Sequence, residues 1–194
     1  MELLSSDYSA LEGTCCYCSD EAAQSIRQAI KGLPLCAVHF LGTGDYHYQT
    51  LFWLERIGEP FALVHFDNHP DDQAGAFGDD ILSCGSWVAD ARRLANCRAA
   101  SWFDGSGHWQ WEAIPEGLPV YLSVDLDVLG KEYLDTDWDQ GSVAPAELAA
   151  AIQEATEGRT VLGIDVCGGP APVSGASDFS GSLALAKTIL KKFL

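Results

Sequence analysis

A three-layer α/β/α fold around a mostly parallel sheet is predicted here, on three observations. Short apolar runs of strand length alternate with helical stripes. Runs such as "ALVHF" and "LPVYLSV" suit the middle of a packed sheet covered on both faces. No repeat, low-complexity tract or linker interrupts the alternation, so residues 1–194 are read as one domain.

The elements follow in order. "GTCCYCS" (13–19) reads as a strand, and Ser19 as the N-cap of a helix with Asp20 and Glu21 in its first turn, where carboxylates suit the helix dipole. Ala22, Ala23, Ile26, Ala29 and Ile30 form one helical stripe, closed by "GLP" at 32–34. "LCAVHFLG" (35–42) is the next strand, and "YQTLFWLERIG" (48–58) a helix stopped by Gly58. The run from Ala62 is a strand, followed by a loop through "QAGAFGDD", a helix near 85–96 and a short strand near 98–102. "FDGSGHWQWEAIPEG" reads as an irregular connection, and "LPVYLSVD" (118–125) as a strong strand with Pro119 near its start. Pro145 suits the first turn of a helix running to about Glu157. "RTVLGIDV" (159–166) is the last strand and "SLALAKTILKKFL" a terminal amphipathic helix.

Composition narrows the partners. With 28 acidic and 11 basic residues, the formal charge of −17 repels phosphate backbones and anionic lipid surfaces, so neither nucleic acid nor a membrane is expected as a partner. A cation, either metal or substrate, is the more natural ligand. No apolar run approaches the roughly 20 residues of a membrane span, and "MELLSSDYSA" lacks the basic start of a signal peptide, so a cytoplasmic protein is expected. Seven cysteines is an odd count without a secretion signal, which argues against a disulfide framework. Cys15, Cys16 and Cys18 have no second Cys/His pair at zinc-finger spacing and read as small, buried, reduced thiols.

Three predicted strands end in metal-ligand chemistry. "GTGDYHY" brings Asp45 and His47, the stretch after "ALVHF" brings Asp67, His69 and Asp71, and "SVDLDVL" brings Asp125 and Asp127. Residues two apart in extended chain share a face, so 67, 69 and 71 can converge, as can 125 and 127. Ligands of such sheets bind beyond the carboxyl ends of the strands, where these clusters fall. Several carboxylates crowded at a strand end are costly unless a cation sits among them. Two imidazoles and four carboxylates can share two divalent cations. An oxygen-rich set with a minority of nitrogen favours Mn²⁺ over Zn²⁺, with Fe²⁺, Co²⁺ and Mg²⁺ also compatible.

"GTGDYHY", "FDNHPDD" and "SVDLDVL" together resemble the three signatures of the arginase/agmatinase (ureohydrolase) family: Gly-Gly-Asp-His, Asp-x-His-x-Asp and Ser-x-Asp-x-Asp. The resemblance runs from about Gly42 onward and implies an arginase-like fold with a binuclear manganese centre. It implies that His47 and Asp71 bind one metal, His69 and Asp127 the other, and that Asp67 and Asp125 bridge both. Asp71 and Asp125 are then the catalytic candidates, with Asp71 orienting a metal-bridging hydroxide that attacks a guanidino, formimino or amide carbon and expels an amine.

The departures concern substrate. Tyr46 separates Asp45 from His47, which shifts the ligand register of the first signature. The last strand of the family presents a Glu that reads guanidinium, whereas "GIDVCGGP" offers Gly168 and Gly169 there. Cys84 in "LSCGSW" stands where the family often carries a His, and is expected to pack as a small hydrophobe, with weak proton shuttling as the alternative; it is also a candidate substrate-binding residue. His65 is expected to be structural and His108 an exposed loop residue. "DTDWDQG" is not an EF-hand, because Gln140 and Ala146 occupy the positions that need Gly and an acid. Its family equivalent lies beside the substrate pocket, so Asp137, Trp138 and Asp139 are candidates to contact a small cationic substrate. The chain is shorter than most ureohydrolases, which implies trimmed substrate-covering loops. An assembly of identical copies is compatible with this sequence. Two other functions stay open: deacetylase-like amide hydrolysis with one zinc, and a non-catalytic metal or small-ligand binding protein. The retained Asp71 and Asp125/Asp127 pair favours two metals.

Overall fold

The computed structural model describes residues 1–74, 81–171 and 178–194. In chain order its elements begin with β1 (Leu3–Ser5), β2 (Tyr17–Cys18), α1 (Asp20–Ile30), β3 (Val38–Phe40), α2 (Gln49–Leu54) and β4 (Phe61–Phe66). Next come β5 (Leu82–Ser83), α3 (Trp87–Ala91), β6 (Cys97–Phe103) and β7 (Trp109–Trp111). β8 (Val120–Asp125), α4 (Pro145–Thr156), β9 (Val161–Cys167) and α5 (Ser180–Ile189) complete the chain. Seven strands form one sheet in the order β1-β3-β9-β8-β4-β6-β7. Every neighbouring pair is parallel except β6 with β7. β2 and β5 make a separate two-stranded antiparallel ladder.

Strand alternation sorts the residues between two helical layers. Val64, Phe66, Leu122, Val124, Ile164 and Val166 pack in one apolar cluster with Leu148 and Ile152 of α4 and Ala186 and Ile189 of α5. Phe61, Leu63 and Tyr121 pack in a second with Ile26 of α1, Phe52 of α2 and Trp87 of α3. Each fully buried Leu, Val, Ile or Phe stabilises the fold by about 1.5–3 kcal/mol. α1 forms where its cap is: Ser19 Oγ accepts from the Ala22 amide at 3.2 Å, and Ala22, Ala23, Ile26 and Ile30 are buried. No described helix is long and apolar enough to cross a membrane.

Several expectations need correction. The strand at 13–19 is only Tyr17–Cys18, preceded by a turn in which Gly13 and Cys16 have positive φ. Because the ladder is that short, Cys15 is exposed and Cys16 half-buried, and Cys18 alone of the three is buried. The helices expected at 48–58 and 85–96 are shorter, and the loop read at 73–80 lies mostly outside the described residues. β1 and β7 are added edge strands. β7 falls inside the expected loop, paired by Ser101↔Trp111 and Phe103↔Trp109. Three-residue strands carry too little pattern to be seen before their partners are known.

Candidate metal centre

Four adjacent strands, β3, β9, β8 and β4, bring their carboxyl ends to one crevice. After β3, a 3-10 turn at Gly44–Tyr46 takes up the extra Tyr46, and the His47 amide closes it by donating to the Gly44 carbonyl at 3.0 Å. Asp45 is left facing outward and His47 inward, where its side chain is buried. The His47 Nε2 pairs with Ser123 Oγ at 2.7 Å, so Nδ1 faces the carboxylates. That Nδ1 lies 3.1 Å from Asp67 Oδ2, 3.2 Å from Asp71 Oδ2 and 3.6 Å from Asp125 Oδ2.

A second group lies beside the first. His69 Nδ1 is 2.9 Å from Asp127 Oδ2 and 3.4 Å from Asp67 Oδ1. Asp67 thus presents one oxygen to each imidazole. Donor atoms around one divalent cation, with bonds of about 2.0–2.2 Å, stand about 3 Å apart, so both groups have the spacing of a cation shell. Backbone amides fix the carboxylates: Asn68 donates to Asp127 Oδ1 at 3.0 Å, His69 to Asp67 Oδ1 at 2.6 Å, and Asp127 to Asp125 Oδ1 at 2.9 Å.

The charges are out of balance without a cation. Burial, then Asp127, pushes Asp125 up to about 7, and burial, then Asp67, does the same to Asp127. Asp67 rises through burial and the adjacent Asp71. Asp127 and then Asp67 lift His69 to about 11. Burial opposes charge on His47, but Asp67 and Asp71 outweigh it and its pKa is raised. These five shifts draw positive charge into the crevice, a charge that a divalent cation would supply directly.

Three residues missed at the sequence level support this geometry. Trp87, fully buried, donates its indole N–H to Asp71 Oδ2 at 2.8 Å. Asp71 itself sits at φ 49°, a left-handed conformation costly for a non-glycine residue and typical of functional sites. Cys167, in register with Asp125 across β8 and β9, donates its thiol to Asp125 Oδ2 at 3.0 Å. His65, expected to be structural, places Nε2 3.3 Å from Asp67 Oδ2, while burial pushes its pKa down to about 3 and keeps it neutral. Its position two residues before Asp67, on the same strand face, was the available signal.

The crevice opens into a cavity of about 260 Å³, walled beyond these residues by Cys16, Tyr17, Gln73, Cys84 and Trp138 among others. No Lys or Arg is among its described lining residues. Burial, then Asp71, raises the Cys84 thiol to about 12, so it faces the cavity protonated. Asp137 and Asp139 lie outside that lining: burial, then Asp45, pushes Asp137 up to about 6, and Asp139 is exposed, with its carbonyl accepting from Asn68 at 3.0 Å. His108 is exposed, in a turn with Ser106. Gly168 has φ 96°, and a Cβ there would stand 2.6 Å from Asp125 Oδ1 and 2.8 Å from the Leu126 amide. The backbone that seats Asp125 therefore leaves no space for an acidic side chain at position 168.

No family model matches the chain. An uncharacterized protein of Thermotoga maritima is 33% identical over 149 residues, 70% of this chain, and the chain spans 59% of that protein's length. Among solved structures, a proclavaminate amidino hydrolase from Streptomyces clavuligerus superposes with a TM-score of 0.66 at 19% identity, over 91% of this chain and 70% of that one. A hypothetical agmatinase from Burkholderia thailandensis gives 0.64 at 22% identity, over 92% and 66%. The arginase-like fold expected from the three motifs is the fold of this chain.

Proposed function

We propose that the chain is a metal-dependent hydrolase of carbon–nitrogen bonds other than peptide bonds, holding two divalent cations at the strand-end crevice. The observation that carries this reading is Asp67, whose two oxygens face different imidazoles, Oδ2 at 3.1 Å from His47 and Oδ1 at 3.4 Å from His69. In this reading His47 and Asp71 hold one cation, His69 and Asp127 the other, and Asp67 and Asp125 serve both. Four carboxylates and two imidazoles suit Mn²⁺. Two such cations would supply Lewis acidity, lowering the pKa of a bound water and polarising the C=N or C=O bond of the substrate. Asp71, held by the Trp87 indole, would orient the attacking water and could accept its proton, as a positioned carboxylate can.

The substrate is small and neutral or cationic in this proposal. The described cavity wall has no Lys or Arg to pair a carboxylate or phosphate, and Asp45 and Asp137 set a negative field near its mouth. Cys84 contacts it as a neutral thiol, while Asp137 and Asp139 act from the rim. With Gly168 in place of an acid, formimino and amide carbons are as eligible as guanidino ones.

Metal counting by mass spectrometry after reconstitution with Mn²⁺ tests the reading. Two metals per chain are expected for the wild type, none for Asp67→Ala and one for Asp127→Ala. Turnover is then sought on guanidino, ureido, formimino and acetamido compounds. One metal in the wild type would favour the deacetylase-like alternative, and none would sink the proposal.

A further inference from the structure

Asp45 belongs to the first strand-end motif yet does not join the crevice. Its Oδ1 accepts the Trp138 indole N–H at 3.1 Å and lies 3.1 Å from Cys16 Sγ, while its Oδ2 lies 3.5 Å from Cys15 Sγ. Donor atoms of all three residues stand within 4.8 Å of one another. Adjacent side chains in extended backbone point to opposite sides. The φ of 58° at Cys16 breaks that alternation and turns two consecutive thiols onto one carboxylate.

The sulfur–oxygen distances of 3.1 and 3.5 Å, each to a different oxygen of Asp45, are close to those of a metal shell. A tetrahedral cation with bonds of about 2.3 Å to sulfur and about 2.0 Å to oxygen separates those atoms by about 3.5 Å. The carboxylate is also oriented by the Trp138 indole, which donates to the Oδ1 that faces Cys16, as outer hydrogen bonds orient ligands of metal sites. Gly44 makes room for the orienting indole, since a Cβ there would fall 2.7 Å from Trp138. Thiolate donors select differently from the oxygen-rich crevice, taking thiophilic cations.

We propose that Cys15, Cys16 and Asp45 form a third metal site, for one thiophilic divalent cation of the Zn²⁺ or Cd²⁺ class, at the mouth of the cavity. Each thiol gives up its proton as its sulfur–metal bond forms, and no electron is transferred. Cys16 and Trp138 line the cavity, so a cation held here would sit beside the space a substrate enters. The bound cation ties the turn before β2 to the turn that carries His47. This site stands on its own residues and does not rest on the reading of the crevice.

Cd²⁺ is the probe, added to the full chain after Mn²⁺ loading, with thiolate-to-metal charge-transfer absorption followed in the ultraviolet. The expected result is one Cd²⁺ per chain with a thiolate band that disappears in the Cys15→Ser/Cys16→Ser variant and persists in Cys36→Ser and Cys167→Ser. Asp45→Asn keeps both thiols and weakens binding at least about tenfold. An unchanged thermal midpoint in the double variant shows that the loss is of ligands and not of fold. No thiolate band in the wild type, a band that survives in the double variant, or one that vanishes in Cys167→Ser would each overturn the proposal. Absence of Mn²⁺ from the wild type would count against the crevice reading alone.

Discussion

On the face toward α4 and α5, β4, β8 and β9 present Val64, Phe66, Leu122, Val124, Ile164 and Val166. One residue out of step, toward α1–α3, the same strands present His65, Ser123 and Asp165, and β3 adds His39. These four are in register across the sheet and all are buried. The polar row ends differently at its two sides. His39 Nδ1 pairs with Asp165 Oδ1 at 2.9 Å, Tyr121 donates to the same oxygen at 2.7 Å, and the His39 ring stacks 3.6 Å from Trp53. Both bonds come from within the chain, though they share Oδ1 and leave Asp165 Oδ2 buried without a hydrogen-bond partner. At the strand ends, Asp67, Asp71, Asp125 and Asp127 outnumber the imidazoles around them, and the imbalance calls for a cation from outside. The apolar face supplies stability, and the polar face uses some of it to hold a cluster that no fold needs.

Substitutions separate the faces. Leu122→Ala, on the apolar face, should lower unfolding free energy by about 2–5 kcal/mol in chemical denaturation, with Mn²⁺ content per folded chain unchanged. Comparable metal loss would mean that the faces are not independent.

A change of pH should affect the metal-free and loaded forms in opposite directions. In the metal-free chain Asp125 and Asp127 are raised from 3.8 to about 7 and His69 from 6.5 to about 11, so the folded state holds more protons than the unfolded state across that span. Its thermal midpoint should fall as pH rises from about 4 to about 10, less steeply below about 6.5, where the lowered pKa of His65 works in the opposite sense. Metal binding needs these groups deprotonated, so the Mn²⁺-loaded chain should gain stability over the metal-free one as pH rises, and lose that gain progressively as pH falls from about 11 through about 7. Parallel pH profiles for the two forms would show that the crevice does not bind the metal.

The smallest change is Trp87→Phe, which keeps the buried ring and removes the N–H that Asp71 accepts. Mn²⁺ affinity is expected to drop about 10- to 100-fold, with little change in the far-ultraviolet spectrum. Equal affinity by titration would leave Trp87 a packing residue only.

The strand-and-helix alternation was legible because burial imposes its own period on each element. Residues at spacing two after β4 and β8 likewise announced a cluster, and the arginase-like resemblance agreed with the fold. Other parts of the site left no local trace. Trp87 reaches Asp71 across 16 positions, Cys167 reaches Asp125 across 42, and Trp138 reaches Asp45 across 93. The buried-thiol reading of Cys15 failed for a related reason: whether a short apolar run becomes a long strand depends on its partner, and β5 offers β2 only two residues.

The alternation of strands and helices, the segments that end in carboxylates and the net charge of −17 could all be read from the chain alone. Those are properties of composition and short-range period, and physics acts on them one segment at a time. That Asp67 faces two imidazoles, that Asp45 turns outward to a pair of thiols, and that Gly168 has no space for an acid beside Asp125 emerge only in the folded chain. Such choices are made where loops from separate strands meet at ångström range, and backbone conformation at single residues such as Asp71 and Cys16 settles them.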